Sequence, residues 1–469
     1  MWFNSIDFLL FILLVLPVFY ALGAFPALKG RARTLFLLAA SYYFYMYWNP
    51  IFVVLILATT TINYACGLAL ETWPRRMRRW LVAFSAAGSL GILGYFKYGK
   101  FLYGTLGRGM DCVGVDLPPF PEALGFALPV GISFYTFQSM SYTIDLYRGR
   151  IRAERDFCRF ALFVAYFPQL VAGPIEKAHH LLGEIRRGVT RGRPVDVMGA
   201  IQQISYGLFK KVAIADSIAI VVDPVFSRPA DYGGLHILMA AVLFSFQIYC
   251  DFSGYSDIGI GISKLFGIRI STNFFFPYFA TNITRFWRTW HISLSSWLKD
   301  YLYIPLGGNR KGTARQYANL MTTMLLGGLW HGASWNFMLW GGLHGLCLAL
   351  HKRVSAARPA RRPSSRSLAV AVVLAKGLFT FLLVSILWLP FRCRTFGDTL
   401  LCLRRVVSWD GGRTVSPPLD PGLLVTCWLL VAVLLLIDAF YRLEYDFWQR
   451  KKWVNYVKCA LPPVFILLT

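Results

Sequence analysis

Long runs of apolar side chains, separated by short basic stretches, dominate this chain. Ile6 to Gly23, Thr34 to Trp48, Ile51 to Leu70, Trp80 to Tyr95, Met198 to Val222, Leu235 to Ile262, Tyr317 to Leu350, Leu368 to Leu389 and Leu423 to Phe440 are apolar over most of their length. A helix crossing a bilayer needs about 20 such residues, because a rise of about 1.5 Å per residue must cover a hydrocarbon core of about 30 Å. Backbone groups in that core are satisfied only within helices or closed barrels, so runs of this length predict helices. Two weaker runs, Ala123 to Leu146 and Phe157 to Ala172, are broken by Pro129, Pro168 and polar side chains and are expected to be re-entrant or tilted. The predicted fold is an all-α polytopic membrane protein with about ten transmembrane helices plus re-entrant and interfacial helices.

The polar positions between the runs suggest an orientation. No Lys or Arg precedes the first run and Asp7 sits near its start, whereas a cleavable signal has a positive leading region. A retained helix with its N-terminus outside is the expectation. Lys29, Arg31 and Arg33 follow the first run, and Arg75, Arg76, Arg78 and Arg79 follow the third; cationic loops stay on the cytoplasmic side. Lys352 to Arg366 reads as another inner loop, with a mobile stretch from Arg353 to Arg366. Phe391 to Gly422 conflicts with simple alternation, which places it outside although it carries Arg392, Arg394, Arg404, Arg405 and Arg413. The final run, Cys459 to Thr469, is too short to span.

Composition agrees with the pattern. Of 469 residues, 56% are hydrophobic and only 15% charged, against roughly a quarter charged in an ordinary globular domain. The net charge of +25 is spread over loops between apolar runs. Anionic lipid headgroups account for that distribution better than nucleic acid, for which no basic recognition helix is visible. The nine cysteines are scattered, with no C-x-x-C pair or other metal-ligand spacing, and read as packing residues. Without a repeat or long linker, residues 1–469 read as a single membrane domain.

Three segments place expensive groups at membrane depth, where an ionisable side chain is paired, faces a cavity or is functional. Phe244 to Gly267 carries Gln247, Asp251, Ser253 and Asp257. Either they cap and hydrogen-bond a broken helix or they line a polar cavity. In Asn282 to Gly312, a spacing of 100° per residue puts Trp287, Trp290, Leu294, Trp297 and Tyr301 on one stripe, opposite Arg285, Arg288, Ser296 and Lys299. That describes a helix lying in the membrane interface, with His291 at the edge of the stripe. Pro305 and Gly307-Gly308 then end the helix and turn the chain. Leu325 to Gly345 holds His331 and His344 among tryptophans and glycines. On one ideal helix the two imidazoles are about 220° apart and share no face. Small residues there permit close helix approach or leave room for a ligand. A buried imidazole bonded to a carbonyl is the bland explanation for either histidine. A proton acceptor for group transfer is the alternative.

Five segments occur together in order: "FPQLVAGPI" (167–175), "SYGLFKKVAIAD" (205–216), "YCDFSGYSDIGIGI" (249–262), "FWRTWHISLSSWLKDYLYIPLGGNR" (286–310) and "GGLWHGASWNFMLWGGLHG" (327–345). They resemble the membrane-bound O-acyltransferase family, specifically its bacterial branch acting on alginate, cellulose and peptidoglycan, with teichoic acid D-alanyl transferases more distant. The likeness covers roughly residues 1–440, with a motif-bearing core at about 123–350. It implies acyl transfer in a central tunnel, His331 as the catalytic histidine and His291 as a second characteristic one. Trp330, Trp335, Asn336, Asp251, Asp257 and Arg288 are candidates for lining that tunnel or contacting substrate, Asp251 and Asp257 being structural by preference. His344 is expected to be packing.

The resemblance further implies a bacterial inner-membrane acetyltransferase serving exopolysaccharide O-acetylation, with no bound cofactor or metal and acetyl-CoA as donor substrate. His331 would act as base on the acceptor hydroxyl, while His291 would position the acceptor or stabilise the oxyanion. A periplasmic or membrane-anchored acetyltransferase partner and a polysaccharide synthase or export machinery are the expected associates. A lipid or protein acyltransferase would share the histidines, and a polysaccharide-export component would instead use the membrane aspartates.

Overall fold

The computed structural model describes residues 1–24, 29–121, 128–171, 173–191, 193–357, 365–409 and 420–447. All regular structure among these residues is helical. Among the described residues, six helices are long and apolar enough to cross a membrane: Ile6–Ala24, Pro50–Thr72, Arg75–Asp111, Gly234–Leu265, Arg366–Arg392 and Pro421–Arg442. Six of the expected ten or so spans are thus identified by length and apolarity among the described residues. The predicted run at 198–222 is interrupted by the π-helix Phe209–Asp216, and the run at 317–350 is two helices, Thr313–His331 and Trp335–Ala357. The core of the mobile stretch expected at 353–366 and the terminal run at 459–469 lie outside the described residues.

Side chains facing outward from the first helix show why this is a multi-pass membrane protein. Leu9, Leu10, Leu13 and Leu14 are all exposed on Ile6–Ala21, an arrangement that lipid favours and water opposes. Ser5 caps that helix by accepting from the Phe8 N–H, and Asp7 complements its positive end.

The chain divides into two compact units, residues 1–200 with 259–271 and residues 201–258 with 272–469. In the first, the helices Phe157–Ala165 and Phe167–Leu170 run into the core: Phe157 is exposed, but Phe160 through Phe167 are at 0% exposure. This run is core rather than a lipid-facing segment, which explains how it tolerates Pro168: protein surrounds the break. Buried carboxylates in this unit are each compensated. Asp145 meets His179 at 2.8 Å and Arg150 at 3.3 Å, and Glu176 bonds His180 at 2.7 Å and the Ser271 N–H. Burial opposes ionisation of Glu184, but donors from Arg187, Arg193 and the Arg269 backbone outweigh it and hold the carboxyl below its ordinary value.

The second unit is built on the helix Gly234–Leu265, which belongs to it as far as Ile258. The helices Thr313–His331 and Trp335–Ala357 form its tightest pair. Their contact runs through glycine: a Cβ on Gly328 would lie 2.1 Å from the Phe337 carbonyl oxygen, and one on Gly341 would lie 2.2 Å from that of Met324. Only the missing side chains let these backbones meet. Of the two roles open for these small residues, close approach is the one Gly328 and Gly341 perform.

Candidate active site

The segment expected to lie flat in the interface does not form one helix. Ile283–Thr289 ends at Trp290, His291 takes the left-handed conformation at φ +43°, and Ile292–Leu298 begins anew before the π-helix Lys299–Tyr303. The break rotates the expected stripe, so Trp290, Leu294, Trp297 and Tyr301 are buried inside the protein rather than presented to headgroups. A non-glycine residue at positive φ is strained by about 1–3 kcal/mol, and such strain concentrates at functional positions. His291 is held there from both sides. Its Nδ1 lies 3.0 Å from Oδ1 of Asn273, and the following N–H, of Ile292, donates to the Asn273 carbonyl at 2.8 Å.

His331 is the last residue of its helix, and Gly332 turns the chain out of helical geometry. The two-helix arrangement replaces the continuous-helix angle between His331 and His344, because both rings now flank one indole. Trp340 lies 5.1 Å from His331 and 4.9 Å from His344, ring centre to ring centre. Phe391, Trp388 and Trp287 complete the aromatic cluster around it at 5.4, 5.5 and 5.6 Å. His291 approaches from its own break, its ring 6.3 Å from that of His331 and 5.9 Å from that of Trp330.

A cavity of about 670 Å³ opens beside this cluster. His331 and Trp340 line it, with Arg288, Lys299, Arg310 and Lys352 and a wall of Ile292, Leu294, Leu298, Leu320, Met324 and Leu348. No carboxylate is among its lining residues. An anionic ligand with an apolar or thin neutral portion fits such a lining, and four cations with no carboxylate among the described lining residues raise its local concentration.

The other sequence candidates sort by position. Arg288 lines the cavity. Trp330 is buried behind His331. Trp335 is 47% exposed at the start of its helix, and Asn336 is buried and donates to the Cys393 carbonyl at 2.9 Å, tying that helix to the turn after Arg392. Asp251 and Asp257 do not line the cavity. Lys211 reaches Asp251 at 2.6 Å, while Lys210 pairs with Asp257, which also accepts from Gln203 at 3.1 Å. His344 is fully buried and accepts from the Trp287 indole N–H at 3.2 Å.

Several participants escaped the sequence. Lys299 was visible only as a polar-face residue and Lys352 only as loop charge, while Arg310 was not singled out. Lys210 and Lys211 carried a readable signal, since two lysines in one apolar run face two aspartates in another. Asn273 and the buried Asp438, which accepts from Tyr206 and from Tyr249 at 3.0 Å, had none.

Comparison with known proteins identifies the family. The family profile "MBOAT, membrane-bound O-acyltransferase family" matches residues 150–389, a span holding His291 and His331. The chain is 42% identical over 388 residues to "Probable alginate O-acetylase AlgI" of Azotobacter vinelandii, covering 81% of this chain and 74% of the relative. It is 34% identical over 442 residues to "Peptidoglycan O-acetyltransferase" of Helicobacter pylori, covering 86% and 79%. A weaker match, 26% over 235 residues, is to "Teichoic acid D-alanyltransferase" of Streptococcus thermophilus, covering 47% and 56%. With a family profile on residues 150–389 and extended identity to O-acetyltransferases, the chain belongs to the membrane-bound O-acyltransferase family and is an O-acyltransferase.

Proposed function

We propose that this protein is an inner-membrane O-acetyltransferase that takes acetyl from acetyl-CoA on the cytoplasmic side and delivers it toward an extracytoplasmic polysaccharide. The observation that carries the reading is His331, the one histidine lining a cavity whose cations are unopposed by carboxylates. The phosphates of a coenzyme thioester supply the matching negative charge, and its thin pantetheine arm suits the apolar wall. His331 takes the proton of the acceptor hydroxyl as its oxygen attacks the thioester carbonyl; the thiolate then leaves and is protonated. The surrounding aromatic rings exclude water that would otherwise consume the acyl group.

The acceptor class follows from the relatives, whose names point to alginate, peptidoglycan and teichoic acid. Among the described residues there is only helix and short connection, with no soluble unit to hold a polymer. A separate extracytoplasmic protein that completes the transfer is therefore part of the proposal, together with the machinery that makes or exports the polymer. A transport role loses its main support, because Asp251 and Asp257 are already matched by Lys211 and Lys210.

Inverted membrane vesicles supplied with radiolabelled acetyl-CoA, palmitoyl-CoA and acetate test the reading. Label is expected to reach a periplasmic-side acceptor from acetyl-CoA alone. In Arg310→Glu/Lys352→Glu vesicles the donor KM is expected to rise by about 10-fold or more, an effect that weakens with salt. Transfer from palmitoyl-CoA into lipid, or donor KM unchanged by the reversals, would contradict it.

A further inference from the structure

His291 is 1% exposed, and the imidazole is enclosed by Phe252 at 4.6 Å, Trp330 at 5.9 Å and Phe274 at 6.3 Å, ring centre to ring centre. Its bonded partners include no carboxylate, so the ring is held neutral by its surroundings. A neutral imidazole carries one proton, and which nitrogen holds it decides what the other can do.

The backbone fixes the answer. The Ser293 N–H points at one side-chain atom of Asn273 from 3.3 Å. A backbone N–H only donates, so that atom is the amide oxygen, and the opposite assignment would set two donors against each other. The amide nitrogen on the far side then donates to the Ser256 hydroxyl at 3.1 Å. His291 Nδ1 faces the same oxygen at 3.0 Å, and a contact with an oxygen at that distance is a hydrogen bond only if Nδ1 carries the proton. The Ser293 hydroxyl does not reverse this, because it lies 2.8 Å from the oxygen and 3.5 Å from Nδ1. His344 is locked the other way. Its Nδ1 accepts the Trp287 indole proton, so its own proton sits on Nε2.

We infer that Asn273 is a positioning residue that fixes His291 as the Nδ1-protonated tautomer and leaves the Nε2 lone pair as a built acceptor on a ring 6.3 Å from that of His331, centre to centre. Nε2 is buried and has no hydrogen-bond partner among the described residues. A neutral His291 of this tautomer cannot donate from Nε2 to an oxyanion. It can accept a hydrogen bond, so it orients the acceptor through a second donor group, such as a neighbouring hydroxyl, while His331 removes the proton of the attacking one. This role rests on the acyl-transfer reading of the site; the tautomer itself does not.

The test has a spectroscopic and a kinetic arm. In full-length protein labelled with 15N-histidine in lipid bilayers, the His291 resonances, assigned by their loss in His291→Gln, are expected to show a protonated Nδ1 and a bare Nε2. A protonated Nε2 overturns the inference. In acetyl transfer, Asn273→Leu removes the acceptor and is expected to lower kcat by about 10²- to 10⁴-fold with donor KM within about twofold. Asn273→Asp keeps an oxygen for both Nδ1–H and the Ser293 N–H and is expected to recover to within about 10-fold of the parent. A folded Asn273→Leu protein with parental kcat, or an Asp variant as slow as the Leu variant, contradicts the role. Should the Leu variant not fold, the spectrum of the parent protein decides alone. Absence of any acetyl transfer by the parent would sink the acyl-transfer reading and leave the tautomer result standing.

Discussion

His180 and Glu176 show at single-residue scale how charge is placed in this protein. The Glu176 carboxylate, 2.7 Å from Nδ1, raises the His180 pKa above its ordinary 6.5 against the opposing effect of burial. A raised folded-state value means that protonated His180 stabilises the fold fully below about pH 6.5 and loses that contribution as pH climbs through the higher value. The thermal unfolding midpoint of the parent protein in detergent should therefore fall over that window more than the midpoint of His180→Gln; parallel profiles would refute the pairing. Residue-scale chemistry was only partly legible beforehand. His331 and His291 were visible from their motifs, and Arg288 from its helix face. Asn273 was not, because a lone asparagine in "RISTNFFF" gains its meaning from three donors brought to it by later residues.

Between elements, the same site depends on two breaks that periodicity alone does not reveal. A 100° spacing presumes a continuous helix, and the left-handed turn at His291 and the exit at Gly332 each end one. The apolar runs were read correctly as helical. Whether a run faced lipid or protein was not legible, because both environments select the same side chains. The helix Gly234–Leu265 and the π-helix Phe209–Asp216 illustrate the point from the polar side, since each aspartate was visible and its lysine partner was overlooked. Lys210→Met leaves Asp257 with a single amide donor, which should cost about 3 kcal/mol of stability, the low end for a broken buried pair because Asp257 keeps partial exposure. Lys210→Met/Asp257→Asn should regain most of that loss in unfolding measurements. A double variant no more stable than the single one would rule out the ion pair as the reason for these charges.

For the whole molecule, the basic stretch that conflicted with simple alternation includes residues with internal contacts. Arg392 pairs with Asp223 at 2.6 Å, and Arg405 donates to the carbonyls of Pro229 and Tyr232. These contacts explain why the stretch after Phe391 carries cations that simple alternation of charge does not place. The cavity cations are similar, since Lys299, Arg310 and Lys352 come from three separate segments and converge only after folding. In the proposed reaction this geometry serves His331. The most direct measurement is single-turnover release of thiol from acetyl-CoA, in the presence of the polymer acceptor and its partner, by parent protein and His331→Gln matched for thermal unfolding midpoint. The account predicts a fall in rate of about 10²-fold or more with donor binding little changed. Undiminished release by the folded His331→Gln protein would contradict it.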